Sequence, residues 1–371
     1  IGEQMTKAAE LAKMGEVLSN SQIGRKNIII NGGMQIAQRG TSSTGLGGSS
    51  GIYPTLDRMK IGVGNTDGRF TMSQSSVTDL AGFSNALKID CTTADTSVAT
   101  NSFLIMGTNI EGFDLQQLKA TSTTTRAFTL SFYAKSNESR AIVTEINFSN
   151  GTNKSASKLH TIGTSWARYT FTVASASSTQ IDNDNSHELS VNFWFNAGST
   201  YTSGTMSNTL QPITNANRAV GIGDIFASTD NEIEITGIQL ELGSVATPFE
   251  HRSVGEELAL CQRYYERSGL GSPAKANSTV EFWIGHTFMV EKRSAPTMSI
   301  IDTSSALRVF EFGIGDRDSD STPSLSSQYA QTKSCLFRIG NFSSISGGDT
   351  GMTGGLSSDV TADLFQFDCE L

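Results

Sequence analysis

The sequence predicts a mainly β protein: a large β-sandwich, a short helix, and a smaller C-terminal β-domain. Three observations predict it. Charged residues make up only 17% of the 371-residue chain, while glycine alone occurs 36 times and Ser, Thr and Asn are abundant. That mixture suits short strands joined by polar loops better than it suits a helical enzyme. Runs of alternating apolar and polar residues recur from about residue 57 to residue 242 with no helical pattern between them. A single helical pattern then separates this region from a second set of strand signals.

Residues 1–22 read as a helix. Met5, Ala8, Leu11, Ala12, Met14 and Leu18 form an apolar stripe among Glu3, Lys7, Glu10, Lys13 and Glu16. The stripe covers about three heptads, a helical stub over 1–26 that would either pack on its own domain or end a coiled-coil stalk. Asn27–Asn31 reads as a short strand and 40–51 as a flexible Gly/Ser/Thr loop. Strand signals follow at 57–63, 69–74, 86–92, 103–110, 127–134, 141–148, 166–173, 188–197 and 232–242. Their spacing places a sandwich over 27–252 and leaves open a jelly roll or an immunoglobulin-like topology.

At 253–268 Ser253 reads as an N-cap with Glu256 three residues on. Leu258, Cys261, Tyr264 and Tyr265 form one face, so this segment is expected to be a linker helix. Beyond it, 269–371 reads as the smaller β-domain. Val280, Phe282, Ile284, Phe288 and Val290 share one strand face, and further strands are expected at 298–301, 307–312, 334–339 and 364–367.

Composition narrows the function. A net charge of −9 without a basic cluster argues against nucleic acid. No apolar run is long enough for a membrane-spanning helix, and the N-terminal residues do not form a signal-peptide pattern. The chain opens on Ile1 rather than Met, which fits the distal piece of a longer or processed polypeptide. Cys91, Cys261, Cys335 and Cys369 are far apart and read as isolated buried thiols. Neither a cofactor nor a metal is expected. Asp316, Asp318 and Asp320 alternate as in a calcium loop, but Ser321 and Ser327 stand where an EF-hand needs Gly and Glu. Asp182–Asn185 is another oxygen-rich loop. The four histidines are scattered, and H-E-x-x-H, G-x-S-x-G and Walker patterns are absent, so no enzymatic activity is expected.

Candidate ligand residues come from two places. On the strand at 188–197, Leu189, Val191, Phe193 and Phe195 point to the core, leaving Asn192, Trp194 and Asn196 on the other face. A Trp between two amides can stack on a sugar ring and bond its hydroxyls, unless a loop or a neighbouring subunit covers that face. Thr129, Ser131 and Tyr133, and Trp166 with Arg168, stand on comparable faces. In the C-terminal domain, the loops 315–322 and 343–355 offer Asp316, Asp318, Asp320, Ser343 and Asp349 to sugar hydroxyls.

The run IQLELGSVATPFEHRSVGEELALCQRYYERS, residues 238–268, resembles the segment near the end of many tailed-phage fibre proteins, notably those of marine and cyanobacterial phages. Asn31–Gly40 (NGGMQIAQRG), Ile110–Asp114 (IEGFD) and Arg293–Thr297 (RSAPT) match in the same order. The resemblance implies a virion tail-fibre protein with a carbohydrate-binding-like jelly roll, and so favours the jelly roll over the immunoglobulin-like topology. It also implies a homotrimer joined to other tail proteins through its N-terminal side. Its receptor would be a host cell-surface polysaccharide or lipopolysaccharide. Two other functions fit the same sequence: a polysaccharide-degrading tailspike, and a structural fibre segment that binds no receptor.

Overall fold

The structure, a computed structural model, describes Lys7 and residues 25–48, 51–177, 180–269, 271–301, 306–312, 315–320, 323–343, 345–356 and 363–371. The expected stub over 1–26 lies almost wholly outside them. The chain divides into two compact units, residues 1–257 with Leu371, and residues 258–370.

The first unit is a jelly-roll sandwich. The strands of its two large sheets are β1 (Ser42–Leu46), β2 (Lys60–Gly64), β3 (Arg69–Ser76), β4 (Asn85–Thr93), β5 (Phe103–Glu111), β6 (Phe128–Ser136), β7 (Arg140–Phe148), β8 (Lys154–Ile162), β9 (Ala167–Val173), β10 (His187–Ala197), β11 (Gln211–Pro212) and β12 (Glu232–Leu242). Two six-stranded antiparallel sheets form, in the orders β1-β3-β4-β12-β6-β9 and β11-β8-β7-β10-β5-β2. Consecutive side chains of a strand leave opposite faces, so Leu189, Val191, Phe193 and Phe195 of β10 enter the core together. There they meet Phe132 of β6, whose ring stands edge-on to Phe193 with centroids 5.0 Å apart. This core holds Phe, Ile and Leu from both sheets, most of them with no exposed surface.

Two local expectations are corrected here. Residues 27–31 are not a strand. Asn31 adopts φ +61°, where extended backbone cannot continue. Asn27 instead turns back on itself, its side chain accepting from the amide of Ile29 at 3.0 Å and donating to the carbonyl of Ile238 at 3.0 Å. The 40–51 segment is not all loop, because Ser42–Leu46 pairs with β3 as an edge strand. Small hydroxyl residues suit such an edge, and Thr44 and Thr71 bond across it at 2.9 Å.

The expected helix over 253–268 is shorter. Helix α1 covers Val254–Gln262, with the Ser253 hydroxyl accepting from the amide of Glu256 at 3.2 Å. From Tyr265 the chain is strand. β13 (Tyr265–Ser268) pairs with β22 (Phe365–Asp368), whose other neighbour is β16 (Thr297–Ile300). Two successive aromatics favour a pleated strand once a partner is available, and that partner lies a hundred residues away. Cys261, Tyr264 and Tyr265 are buried, while Leu258 is half-buried.

The rest of the second unit is a seven-stranded antiparallel sheet. It contains β14 (Pro273–Ala276), β15 (Phe282–Thr287), β17 (Leu307–Glu311), β18 (Gly315–Asp318), β19 (Ser324–Ala330), β20 (Ser334–Gly340) and β21 (Thr350–Leu356), in the order β18-β17-β21-β14-β15-β20-β19. Its inner face packs Phe282, Ile284, Val309, Phe337 and Ile339 against Phe365 and Phe367 of β22. All four cysteines are buried.

Candidate functional site

The outward face of β10 does not present a platform. Trp194 is 1% exposed, enclosed with Val143 and Ala219 and packed by Tyr201, Met206 and Ile222. The covering segment leaves the strand at Gly198, where a Cβ would sit 2.0 Å from the carbonyl oxygen of Ala99, so no larger residue fits. Arg218 of that segment spans Glu145 with two bonds of 2.7 and 2.8 Å, its guanidinium carbon 4.8 Å from the Trp194 ring centre. Glu145, fully buried, also accepts from Trp194 Nε1 at 3.1 Å and Asn192 Nδ2 at 3.2 Å. Asn196 is held between the Ser102 hydroxyl and Asp224, both at 2.7 Å. The expected sugar face built on Trp194, Asn192 and Asn196 is therefore a closed structural network. Strand alternation tells which side of a sheet a residue leaves; it does not tell what lies over that side.

The outer face of the other sheet is also partly covered. Arg168 bonds Ser131 at 2.9 Å and the carbonyl of Thr247, while Phe83, Tyr133, Phe249 and His251 form one ring cluster. In the expected oxygen-rich loop, Asp182 accepts from Asn150 and Gln180, and Asp184 accepts from Ser186.

In the second unit the expected loop acids are separated. Asp316 and Asp318 belong to strand β18 rather than a loop, and both bind Arg308 of β17, Asp318 through two bonds of 2.7 and 2.9 Å. Ser343 reaches Asp320 at 2.9 Å. Asp349 closes its own turn by accepting from the amide of Ser346 at 2.7 Å. From Thr350 onward the second expected loop is part of strand β21. Asp320 lines a shallow depression of about 410 Å³ with Val280, Glu281, Ser324, Asn341 and Phe342.

That depression adjoins an aromatic surface that the sequence reading missed. On β15, Phe282 and Ile284 are inward, so Trp283 leaves the outer face, and Glu281 directly precedes the strand. Trp283 stands opposite Lys275 on one side and Arg338 on the other. Tyr329 of β19 is 63% exposed, with its ring 5.9 Å from that of Trp283 and tilted by 36°. Arg338 lies 5.1 Å over the Trp283 ring and bonds Glu281 at 3.2 Å, so Glu281 joins the aromatic surface to the depression. Trp283 Nε1 donates to Asn277 at 3.0 Å, which fixes the indole plane. Leu336 and Met352 extend the same face, 43% and 37% exposed. An exposed and a half-buried ring, an amide and both signs of charge thus meet on one face of the sheet. Such a surface can stack on the C–H face of a sugar and bond its hydroxyls.

No protein-family model matches the chain, and no curated protein matches it. Among solved structures it is similar to the enzymatically active domain of bacteriophage CBA120 tailspike protein 4, at 14% identity and TM-score 0.29, over 58% of this chain and 21% of that one. It is similar to a CBM4 structure at 12% identity and TM-score 0.28, over 57% of this chain and 98% of that one. It is also similar to TmCBM61 in complex with β-1,4-galactotriose, at 8% identity and TM-score 0.28, over 59% of this chain and all of that one.

Proposed function

We propose that this chain is the receptor-binding part of a phage tail fibre, a homotrimer that attaches the virion to host cell-surface glycan through the second unit. The observation that carries the glycan reading is the half-buried Trp283 beside the exposed Tyr329, with Arg338 and Glu281 next to them. The sequence run at 238–268 supports the fibre reading. Binding at this face needs no bond to be made or broken. Each site is shallow, so its affinity is weak, and three copies per fibre on several fibres raise attachment through effective concentration.

The test is binding of the folded chain to arrayed bacterial surface polysaccharides. Trp283→Ala should weaken binding to whichever glycan is retained by about tenfold or more, the scale of a central aromatic anchor. Tyr329→Ala should follow in the same direction. Trp194→Ala would disturb the fold of the first unit, so Asn192→Ala is the better control there and should leave glycan affinity unchanged. Unaltered binding by Trp283→Ala would remove the site assignment. Absence of binding to every glycan and to host cells would favour a structural fibre segment.

A further inference from the structure

A carboxylate, an imidazole and two hydroxyls line up inside the second unit, away from the aromatic face. Glu266 and Ser268 alternate along β13 and so leave the same side. The chain turns through Gly271, at φ +82°, and brings Ser272 back to them. The backbone of Ser272 is fixed to Thr353, its amide donating to Thr353 Oγ1 at 3.1 Å and its carbonyl accepting from the Thr353 amide at 2.9 Å. His286 of β15 lies between these groups. Its Nε2 is 3.3 Å from Glu266 Oε1, and its Nδ1 is 3.2 Å from the Ser272 hydroxyl and 3.4 Å from that of Ser268. The ring is stacked on Phe367 at 4.7 Å and meets Phe288 at 5.3 Å, so its plane is held.

The proton arrangement follows from the partners. Burial raises the Glu266 carboxyl, but bonds from His286 and from Lys292, the latter at 2.6 Å, outweigh it and hold the group below its usual range. Glu266 is therefore an anion and accepts the Nε2 proton, which leaves the Nδ1 lone pair facing the serine hydroxyls. Cys335 stands opposite His286 on the next strand, but burial pushes its thiol up to about 12, so it is no competing nucleophile. The cluster opens into a pocket of about 650 Å³, which Gln262, Arg267 and Thr287 also line.

We propose that Ser272, His286 and Glu266 form a hydrolytic site for carboxylic esters of a polyhydroxylated alcohol. This departs from the absence of enzymatic activity expected from motifs alone; a nucleophile, base and orienting acid are recognised by geometry, whatever their order in the chain. Only the alcohol part of the substrate rests on the glycan reading. In the first half-reaction Ser272 Oγ bonds to the acyl carbon and its proton passes to His286 Nδ1. The carbonyl electron pair moves onto oxygen, for which the Gln262 amide is the donor in the same pocket. As the tetrahedral carbon collapses, its bond to the alcohol oxygen breaks, and that oxygen takes the proton from His286. In the second half-reaction water adds to the acyl-serine, gives a proton to His286, and the carboxylic acid leaves as Ser272 regains that proton. Glu266 is a positioning residue: it holds the tautomer and does not touch the substrate.

The test treats the whole chain with a fluorophosphonate, which reacts with base-activated serines, and maps the labelled peptide by mass spectrometry. We expect one label per chain, at Ser272, retained in Ser268→Ala and lost in His286→Gln. With p-nitrophenyl acetate we expect a burst of one p-nitrophenol per chain that Ser272→Ala abolishes while keeping the wild-type unfolding midpoint. No label, a label at Ser268 or elsewhere, or equal turnover by Ser272→Ala would overturn the assignment. Mapping the wild-type chain needs no variant, so a folding defect cannot mask the answer. Glycan binding that fails while Ser272 still labels would overturn the attachment reading and leave this one standing.

Discussion

Replacing Arg218 with Ala should cost the first unit about 3–5 kcal/mol, the usual effect of stripping one partner from a buried ion pair. The reason is Glu145. It has no exposed surface, and two of its four donor contacts come from Arg218. Without the guanidinium the carboxylate must either stay charged without its main partner or take up a proton. The same change removes the cation that lies over the Trp194 ring and loosens the segment that covers it. Equilibrium unfolding in urea, followed by tryptophan fluorescence, reads both effects. We expect a lower midpoint and a native-state emission shifted to the red. Arg218→Lys keeps the charge but loses the two-pronged geometry, so it should fall between wild type and Ala. A loss under about 1 kcal/mol for Arg218→Ala would show that water replaces the guanidinium freely, against the range given for buried pairs.

Acid should destabilise the first unit well before its carboxylates are all protonated. His160 is 6% exposed, packed against Phe132 and Tyr169, with Nε2 2.9 Å from the Thr144 hydroxyl. Burial, and then the charge of Lys158, lower its pKa to about 4. Burial, then Lys60 and Arg58, lower that of His187 to about 4 as well. In the unfolded chain both titrate near 6.5. A histidine whose folded pKa is depressed is kept neutral by folding. Its contribution is therefore complete above pH 6.5 and is lost as pH falls towards 4, because the unfolded state takes the proton first. For His160 that loss is about 3 kcal/mol by pH 4. Denaturant unfolding at pH 7.5 and at pH 4.5 measures it, and His160→Gln should flatten the difference relative to wild type. An identical pH dependence in the variant would mean that carboxylates alone govern acid unfolding.

Legibility in the sequence followed the range of the interactions. Alternation along β10 and β12 is a local property, and it located both strands and their inward residues. The strand β8 escaped because Lys154–Ile162 (KSASKLHTI) carries few apolar residues; its pairing with β7 along nine residues secures it instead. β13 escaped for a related reason: its partner β22 lies near the end of the chain. For the candidate site, the pattern that sends Phe282 and Ile284 inward already sends Trp283 outward. What sequence could not supply was Tyr329 and Arg338, which arrive from two other strands. Trp194 failed in the opposite way. Its direction was read correctly, but its cover comes from residues 198–222, a stretch with little regular structure and no periodic signal. His286 sits within the strand run 280–290, and no sequence pattern links it to Ser272 or Glu266.

The alternation of β15 and β20 has a consequence for how such a protein changes over generations. Each strand interleaves residues that hold the domain with residues that meet the outside: Phe282, Ile284, Phe337 and Ile339 inward, Trp283, Leu336 and Arg338 outward. Adjacent positions thus meet different physical constraints. A substitution at an outward position alters the chemistry of the surface and leaves the core volume untouched. The chemistry of this face can therefore change through single steps, each of which still folds.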